Sequence, residues 1–224
     1  MTDNRWAMLA NSKAILAKLF RDNPAEIATY LTEKFEGSDF DAVRAGLGLV
    51  MQAQNVQMLA RDAGLRRDTL YRTFGGRIDP QLSRMLRLFD GLRVQACVVP
   101  ADPSDAQNAS VAIDAARTYA KRLNQAFADN RYDEAVLALR EVALSQSVSA
   151  LARASGIPRR TIYKTFGGNV DPQLSRVLKL LAGLQLRLTV IALPHRPRPP
   201  RPKLGRPSKP AKPLWADVAG RIFT

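Results

Sequence analysis

The sequence of 224 residues contains only one cysteine, Cys97, and one histidine, His195. A single cysteine excludes an intramolecular disulfide and any zinc site built from several cysteines. A single histidine, placed among prolines near the C terminus, provides no basis for a Ser-His-Asp or Cys-His catalytic group. We therefore expect a protein that is not an enzyme and that needs no metal and no cofactor.

Long apolar runs are also missing from the sequence. The longest, residues 186–193, is broken by Arg187 and Thr189 and is too short to cross a bilayer. The first 21 residues carry polar and charged side chains throughout, unlike a secretory signal. We expect a protein of the bacterial cytoplasm with no membrane contact.

Acidic residues are scarce relative to basic ones. The chain has 20 Asp and Glu against 34 Lys and Arg, a formal net charge of +14. Such an excess favours polyanions, because binding releases their condensed counterions. Double-stranded DNA is therefore the expected partner, with the protein associated with the nucleoid.

The sequence repeats itself at a spacing of 92 residues. Residues 69–76 (TLYRTFGG) match residues 161–168 (TIYKTFGG), and residues 79–84 match residues 171–176 without change. A repeat of this length is domain-sized. We predict one domain over residues 1–100 and a second over residues 101–194, with a linker at about residues 100–110. Residues 195–224 are basic and rich in proline, which predicts a disordered tail.

Within each repeat the apolar spacing is helical, so the predicted fold class is mainly all-α. Asn23 with Pro24 predicts a helix start, and Asp79 with Pro80 predicts an N-cap and first helical position. Gly91 is placed to stop that second helix. Branched residues after the stop, at 93–99 and 185–193, predict a short β-strand at the end of each repeat.

Residues 56–74 and their copy at 148–166 predict a helix-turn-helix. Gly64 permits the tight turn, and Leu65 and Leu70 anchor the second helix. The outer face of that helix suits a major groove. The predicted DNA-contacting residues are Gln57, Arg66, Arg67, Asp68, Thr69, Tyr71 and Arg72 in the first repeat and Ser149, Arg159, Arg160, Thr161, Tyr163 and Lys164 in the second.

The chemistry of these side chains divides their expected roles. Arginine can pair with guanine or grip phosphate, whereas Gln57 and Thr69 suit contacts to the DNA backbone. The two tyrosines, Tyr71 and Tyr163, have two alternatives: a phosphate contact or packing at the domain rim. A helical hairpin with a solvated charged face is the alternative for the whole motif.

The pattern Leu59-Ala60, Gly64-Leu65, Arg67, Leu70-Tyr71, Asp79-Pro80 and Gly91-Leu92 resembles that of addiction-module antidote proteins, a lambda-repressor-like helix-turn-helix family. The resemblance covers both repeats and implies tandem five-helix domains that bind operator DNA beside a toxin gene. Members of that family usually act as homodimers of a single domain. Fusion then implies that one chain supplies both halves of an operator-binding unit, or that one repeat binds protein instead.

The basic tail has its own candidate motif. Residues 204–207 (LGRP) resemble a degenerate AT-hook, and Arg201, Lys203, Arg206 and Lys209 are the predicted contacts. The alternatives for these residues are lining the minor groove, binding phosphates without sequence preference, or contacting a membrane or protein.

The leading hypothesis is a sequence-specific DNA-binding transcriptional regulator, a repressor or antitoxin. One alternative is a protein-binding regulator that sequesters a toxin or activator, and another is an architectural nucleoid protein. The two copies differ where Arg66, Asp68 and Gln57 become Pro158, Arg160 and Ser149, so we expect the repeats to prefer different half-sites.

Overall fold

The computed structural model describes residues 13–37, 39–101, 109–167 and 170–194. Within these ranges the first repeat forms six helices and a strand: α1 (Lys13–Phe20), α2 (Pro24–Glu36), α3 (Phe40–Ala53), α4 (Val56–Asp62), α5 (Arg67–Phe74), α6 (Leu82–Leu92) and β1 (Val94–Pro100). The second forms α7 (Ala109–Phe127), α8 (Tyr132–Leu144), α9 (Val148–Ser155), α10 (Arg159–Phe166), α11 (Leu174–Gly183) and β2 (Leu186–Ala192), with a 3-10 turn at Ala128–Asn130. The mainly helical fold class is confirmed.

The long helix α2 follows from its sequence. The Asn23 side chain accepts a hydrogen bond from the Glu26 N–H at 3.4 Å, and Pro24 occupies the first helical turn. Ile27, Leu31 and Phe35 are buried on one face. The predicted start and apolar stripe of this helix are therefore confirmed.

A short strand ends each repeat, as predicted, and the two strands pair with each other. The β1 and β2 strands are antiparallel, with Cys97 opposite Thr189. These two residues occupy equivalent positions 92 residues apart, so a local twofold axis passes between them. The β1 strand packs on α7 and the β2 strand on α2. Each repeat therefore covers the first long helix of the other.

Two equivalent side chains fix this exchange. The amide of Asn124, on α7, donates to the Val98 carbonyl at 2.8 Å and accepts from the Val98 N–H at 2.6 Å. The hydroxyl of Thr32, on α2, makes the same pair of bonds to Val190, at 3.0 and 2.9 Å. Both side chains therefore hydrogen-bond to backbone groups on the outer edge of the two-stranded ribbon. A third strand could otherwise pair with these groups.

The start of α6 differs from the prediction. The helix begins at Leu82, two residues after Pro80, and the Asp79 carboxylate is not its cap. Asp79 instead accepts hydrogen bonds from the N–H of Ser175 at 3.3 Å and from its hydroxyl at 2.5 Å, in the first turn of α11. The N-cap prediction was wrong because the cap acts on the other repeat.

The same exchange runs in the opposite direction. Asp171 accepts from the N–H and hydroxyl of Ser83 at 3.2 and 2.6 Å, in the first turn of α6. Backbone bonds add to it, and an isolated antiparallel bridge joins Gln81 to Gln173. Gln81 and Gln173 are also equivalent positions, so they mark a second point on the twofold axis.

Gly91 does not stop α6, as had been predicted, because it lies inside the helix. A Cβ at this position would lie 2.8 Å from Leu59 Cδ1 and 3.0 Å from Ala63 Cβ, so the glycine allows α6 to approach α4. The helix ends at Leu92, and Arg93 takes the left-handed conformation with φ 59°. Arg93, rather than a glycine, therefore turns the chain into β1.

Both repeats belong to one unit of the structure. By its internal contacts the chain divides into Met1–Pro194 and His195–Thr224. Pro100 belongs to β1 and Ala109 begins α7, so both ends of the predicted linker lie in regular elements. The boundary of the predicted domains at residue 100 stays a prediction, and the predicted tail lies outside the described residues.

Candidate nucleic-acid interface

The helix pair α4 and α5, and its copy α9 and α10, are built by the same local signals. The Asn55 side chain accepts from the N–H groups of Gln57 and Met58, and the Ser147 side chain accepts from the Ala150 N–H. Gly64 and Gly156 turn the chain after each first helix with φ of 60° and 65°. The predicted turn at Gly64 is therefore confirmed.

The second helix of each pair is pinned by its apolar side. Leu70, Thr73 and Phe74 of α5 are buried, and in α10 the buried residues are Ile162, Thr165 and Phe166. This leaves the opposite side of each helix to solvent. The predicted positions that are exposed are Gln57, Arg66, Arg67, Asp68, Tyr71, Arg72, Ser149, Arg159, Arg160, Tyr163 and Lys164, whereas Thr69 and Thr161 are half-buried.

Each exposed tyrosine lies beside an arginine one turn earlier. The Arg67 guanidinium is 5.6 Å from the Tyr71 ring centroid, and that of Arg159 is 5.8 Å from the Tyr163 ring centroid. At this distance the cation is attracted to the aromatic ring. Tyr71 and Tyr163 are 43% and 47% exposed, so both lie on the surface beside the arginines and not in the core.

Most of the positive charge of the two helix pairs is not compensated by ion pairs. Residues 56–77 hold five arginines and two aspartates, and residues 148–169 hold four basic residues and no acid. Among the ion pairs of the described residues, only Arg61 with Asp62, at 3.4 Å, lies in these segments. The exposed cations of α5 and α10 are therefore available to an anionic partner.

In each repeat, an arginine that was not predicted as a functional residue supports the exposed helix. Arg84 donates to the Thr73 hydroxyl at 3.1 Å, and Arg176 donates to the Thr165 hydroxyl at 3.2 Å. Both hydroxyls are buried at the C-terminal end of α5 or α10. The sequence does contain a sign of this contact, because a threonine and an arginine 11 residues apart occur at the same positions of both copies.

Several predicted features fall outside this geometry. Arg201, Lys203, Arg206 and Lys209 lie outside the described residues.

In the part of the chain that is described, no three His, Cys, Asp or Glu side chains are grouped as metal ligands would be. There too, no single helix is long and apolar enough to span a membrane; α8 and α9 reach that length and composition only together, bent by 106°.

Fold and surface together define a class of protein: a tandem helical repeat, closed by exchanged strands and caps, that presents two exposed basic helices. The chain belongs to the family described as probable addiction module antidote protein, whose model matches residues 14–100 and again residues 105–192. The resemblance inferred from the sequence motifs is therefore confirmed, and family membership supports an antitoxin-like regulator.

A relative from Haemophilus influenzae, described as an uncharacterized protein, is 30% identical over 70 residues. This match covers 31% of the present chain and 72% of the relative. No solved structure matches the chain.

Proposed function

We propose that the protein is a sequence-specific regulator of transcription that binds double-stranded DNA through α5 and α10. The observation that carries the proposal is the twofold relation of these two basic helices within one chain. A repressor that reads two half-sites normally needs a dimer, because operator symmetry mirrors protein symmetry. Here the exchanged strands and caps supply that symmetry inside a single polypeptide.

The side chains on the two helices differ, so each helix should prefer a different half-site sequence. Arg66, the residue before α5, and Asp68 on α5 are replaced by Pro158 and Arg160 in the second copy, so the second face has one acid fewer. Arginine pairs with guanine through two hydrogen bonds, and a carboxylate accepts from cytosine. We therefore expect an operator with two unequal half-sites, and better binding to a symmetric palindrome than to any asymmetric site would contradict this.

The test begins with selection of bound duplexes from a random pool at near-physiological salt, using the full chain and a version ending at Pro194. A two-part motif shared by both proteins supports the proposal. Enrichment of AT-rich DNA alone, lost on truncation, would instead support the architectural alternative with the tail as the binding element.

A charge-matched pair of variants locates the contact surface. Replacing Arg67, Arg72, Arg159 and Lys164 with alanine should weaken binding to the selected duplex by at least about 100-fold, since each good base contact contributes roughly 1–3 kcal/mol. The control removes the same number of exposed cations elsewhere, at Lys18, Arg117, Lys121 and Arg131. Equal loss in both variants would mean that net charge, not α5 and α10, determines binding.

One observation favours a second role, binding of a protein partner such as a toxin. Leu137 and Leu144 on α8 are 54% and 39% exposed, and their first-repeat equivalents are Ala45 and Gln52. They lie two helical turns apart on one face, and Leu144 borders a cleft of about 490 Å³ beside Tyr119. If an adjacent toxin-like reading frame exists, Leu137→Glu with Leu144→Glu should abolish co-purification of its product while leaving DNA binding intact.

A further inference from the structure

The twofold axis of the molecule has two ends, and they differ in their surroundings. One end lies between Gln81 and Gln173, and the other between Cys97 and Thr189. Helix α6, 11 residues long, runs between the two ends in the first repeat, which is a length of about 16 Å. Near the first end, Arg84 of α6 and Arg176 of α11 donate to the hydroxyls of Thr73 and Thr165, at the C-terminal ends of α5 and α10. The second end lies in the β-ribbon. The end at Gln81 therefore lies on the side of the basic helices.

Two exposed apolar side chains flank that end of the axis. Ile78 is 46% exposed and Val170 is 43% exposed, and they are equivalent positions. Each lies three residues before the glutamine on the axis, no more than about 11 Å away along an extended chain. Among the large apolar residues exposed in the described ranges, only this pair and the tyrosines Tyr71 and Tyr163 occur in both repeats.

Exposure of an apolar residue in both copies is significant because nothing in the core requires it. Single exposed apolar side chains are ordinary on protein surfaces, so the distinguishing feature of Ile78 and Val170 is that the exposure recurs at the same position of both repeats. Arg77, which is also exposed, precedes Ile78, and the sequence has Asn169 at the equivalent position. The segment thus combines an apolar side chain with polar or cationic neighbours next to the axis.

DNA geometry determines what this segment meets when α5 and α10 are bound. Two helices related by a twofold axis enter major grooves one helical turn apart on the same side of the duplex. Midway between those two major grooves, the groove that faces the protein is the minor groove. The axial segment of the protein therefore faces the minor groove at the centre of the operator.

We infer that Ile78 and Val170 contact the minor groove at the operator centre and open base steps there as apolar wedges. The inference rests on the proposed DNA-binding function. Apolar side chains used in this way partly unstack a step, which costs least at flexible pyrimidine–purine steps such as TA. Arg77 adds electrostatic attraction to the minor groove. The pair thereby selects the central base steps, which α5 and α10 do not read.

The experiment uses the duplex recovered by selection, with its half-sites fixed and its central four base pairs changed from TA-containing to all G·C. The wild-type chain should bind the TA-containing duplex about tenfold more tightly, the scale of one unfavourable base pair. 2-Aminopurine placed at a central step should brighten on binding as it unstacks. The variant Ile78→Ser with Val170→Ser should lose both effects while keeping its half-site preference.

The matched control is Ile191→Ser, since Ile191 is 45% exposed but lies in β2, near the other end of the axis. It should behave as wild type, and thermal unfolding of both variants checks that the fold is intact. Unchanged central discrimination in the double variant, or no fluorescence change with the wild type, would overturn the inference and leave the proposed function standing. Failure to enrich any two-part duplex would overturn both.

Discussion

The carboxylate of Asp79 caps a helix in the other repeat, through Ser175, 96 residues further along the chain. Asp171 returns the interaction through Ser83. A carboxylate that accepts the free N–H groups of a first helical turn stabilises that helix, here across the boundary between repeats. The caps therefore link the stability of α6 to the second repeat and that of α11 to the first.

Removing either cap should destabilise the whole unit. We expect Asp79→Ala and Asp171→Ala each to lower the free energy of unfolding by about 1 kcal/mol, measured by urea denaturation. In a double-mutant cycle with Ser175→Ala, the effect of Asp79→Ala should shrink, because the partner hydroxyl is already gone. Glu33→Gln, at an exposed position of α2, is the control and should change stability by less than about 0.5 kcal/mol.

The exchanged strands predict that the halves hold together without a covalent link. After cleavage at a protease site inserted within residues 102–108, the products should still co-elute from a sizing column in native buffer. The reason is that β1 covers α7 and β2 covers α2, so separation would expose both apolar faces. Separate elution of two folded halves would contradict this packing.

Glycines at the close helix contacts should tolerate no side chain. Gly183→Ala places a Cβ 2.8 to 3.0 Å from backbone and Cβ atoms of Ser155, whereas Gly91→Ala meets a side-chain methyl first. Overpacking of this kind costs about 1–3 kcal/mol, with Gly183→Ala the more costly because backbone cannot move aside. Gly37→Ala is the matched control: its nearest contact is 3.6 Å and its φ is −68°, so its thermal midpoint should not fall.

Sequence reasoning recovered the local structure and missed the exchange between repeats. Ile27, Leu31 and Phe35 recur at helical spacing whichever repeat covers them, so periodicity revealed the buried face but not its partner. Asp79 was assigned to the nearest helix because its pattern is that of a local cap. In a tandem repeat, a contact within one copy and the same contact between copies have identical sequence signals. Only the three-dimensional path of the chain distinguishes them.

The surface helices were predicted more fully than the interface between repeats. The exposed face of α5 follows from Leu70 and Phe74 alone, because fixing two buried positions on a helix fixes the remaining side. The role of Ile78 could not be read in the same way, since nothing local indicates a twofold axis three residues away. Its contact with DNA stays a prediction, as do those of the basic residues.

Alkaline pH should act through Tyr132. Burial, followed by the charge of Asp171 and a hydrogen bond to it, raises the pKa of Tyr132 to about 12 from an ordinary value of 10. Because the pKa of Tyr132 is higher in the folded state, its protonated hydroxyl contributes to the free energy of unfolding. This contribution is complete below pH 10 and is lost as the pH rises towards 12. The free energy of unfolding should therefore fall more steeply over that range in the wild type than in Tyr132→Phe.

Ultraviolet absorbance provides a direct check of this titration. Tyr132 of the folded wild type should ionise near pH 12, and Tyr132→Phe should lose one tyrosine from the late part of the titration. Burial also raises the pKa of Tyr30, which stays in both proteins. Phenylalanine is a suitable replacement, since the first repeat has Phe40 at the equivalent position. Tyr71→Phe, on the exposed face of α5, should retain the late step; if it disappears there as well, the assignment to Tyr132 is wrong.

Cys97 facing Thr189 has a consequence for how such a protein can evolve. In an assembly of identical subunits, a residue on the symmetry axis always meets its own copy, so a single mutation alters both sides at once. Joining the copies in one gene lets each side mutate alone, and an unlike pair such as cysteine with threonine becomes accessible in a single step. Inheritance of the two halves as one unit thereby removes the requirement that every axial residue be compatible with itself.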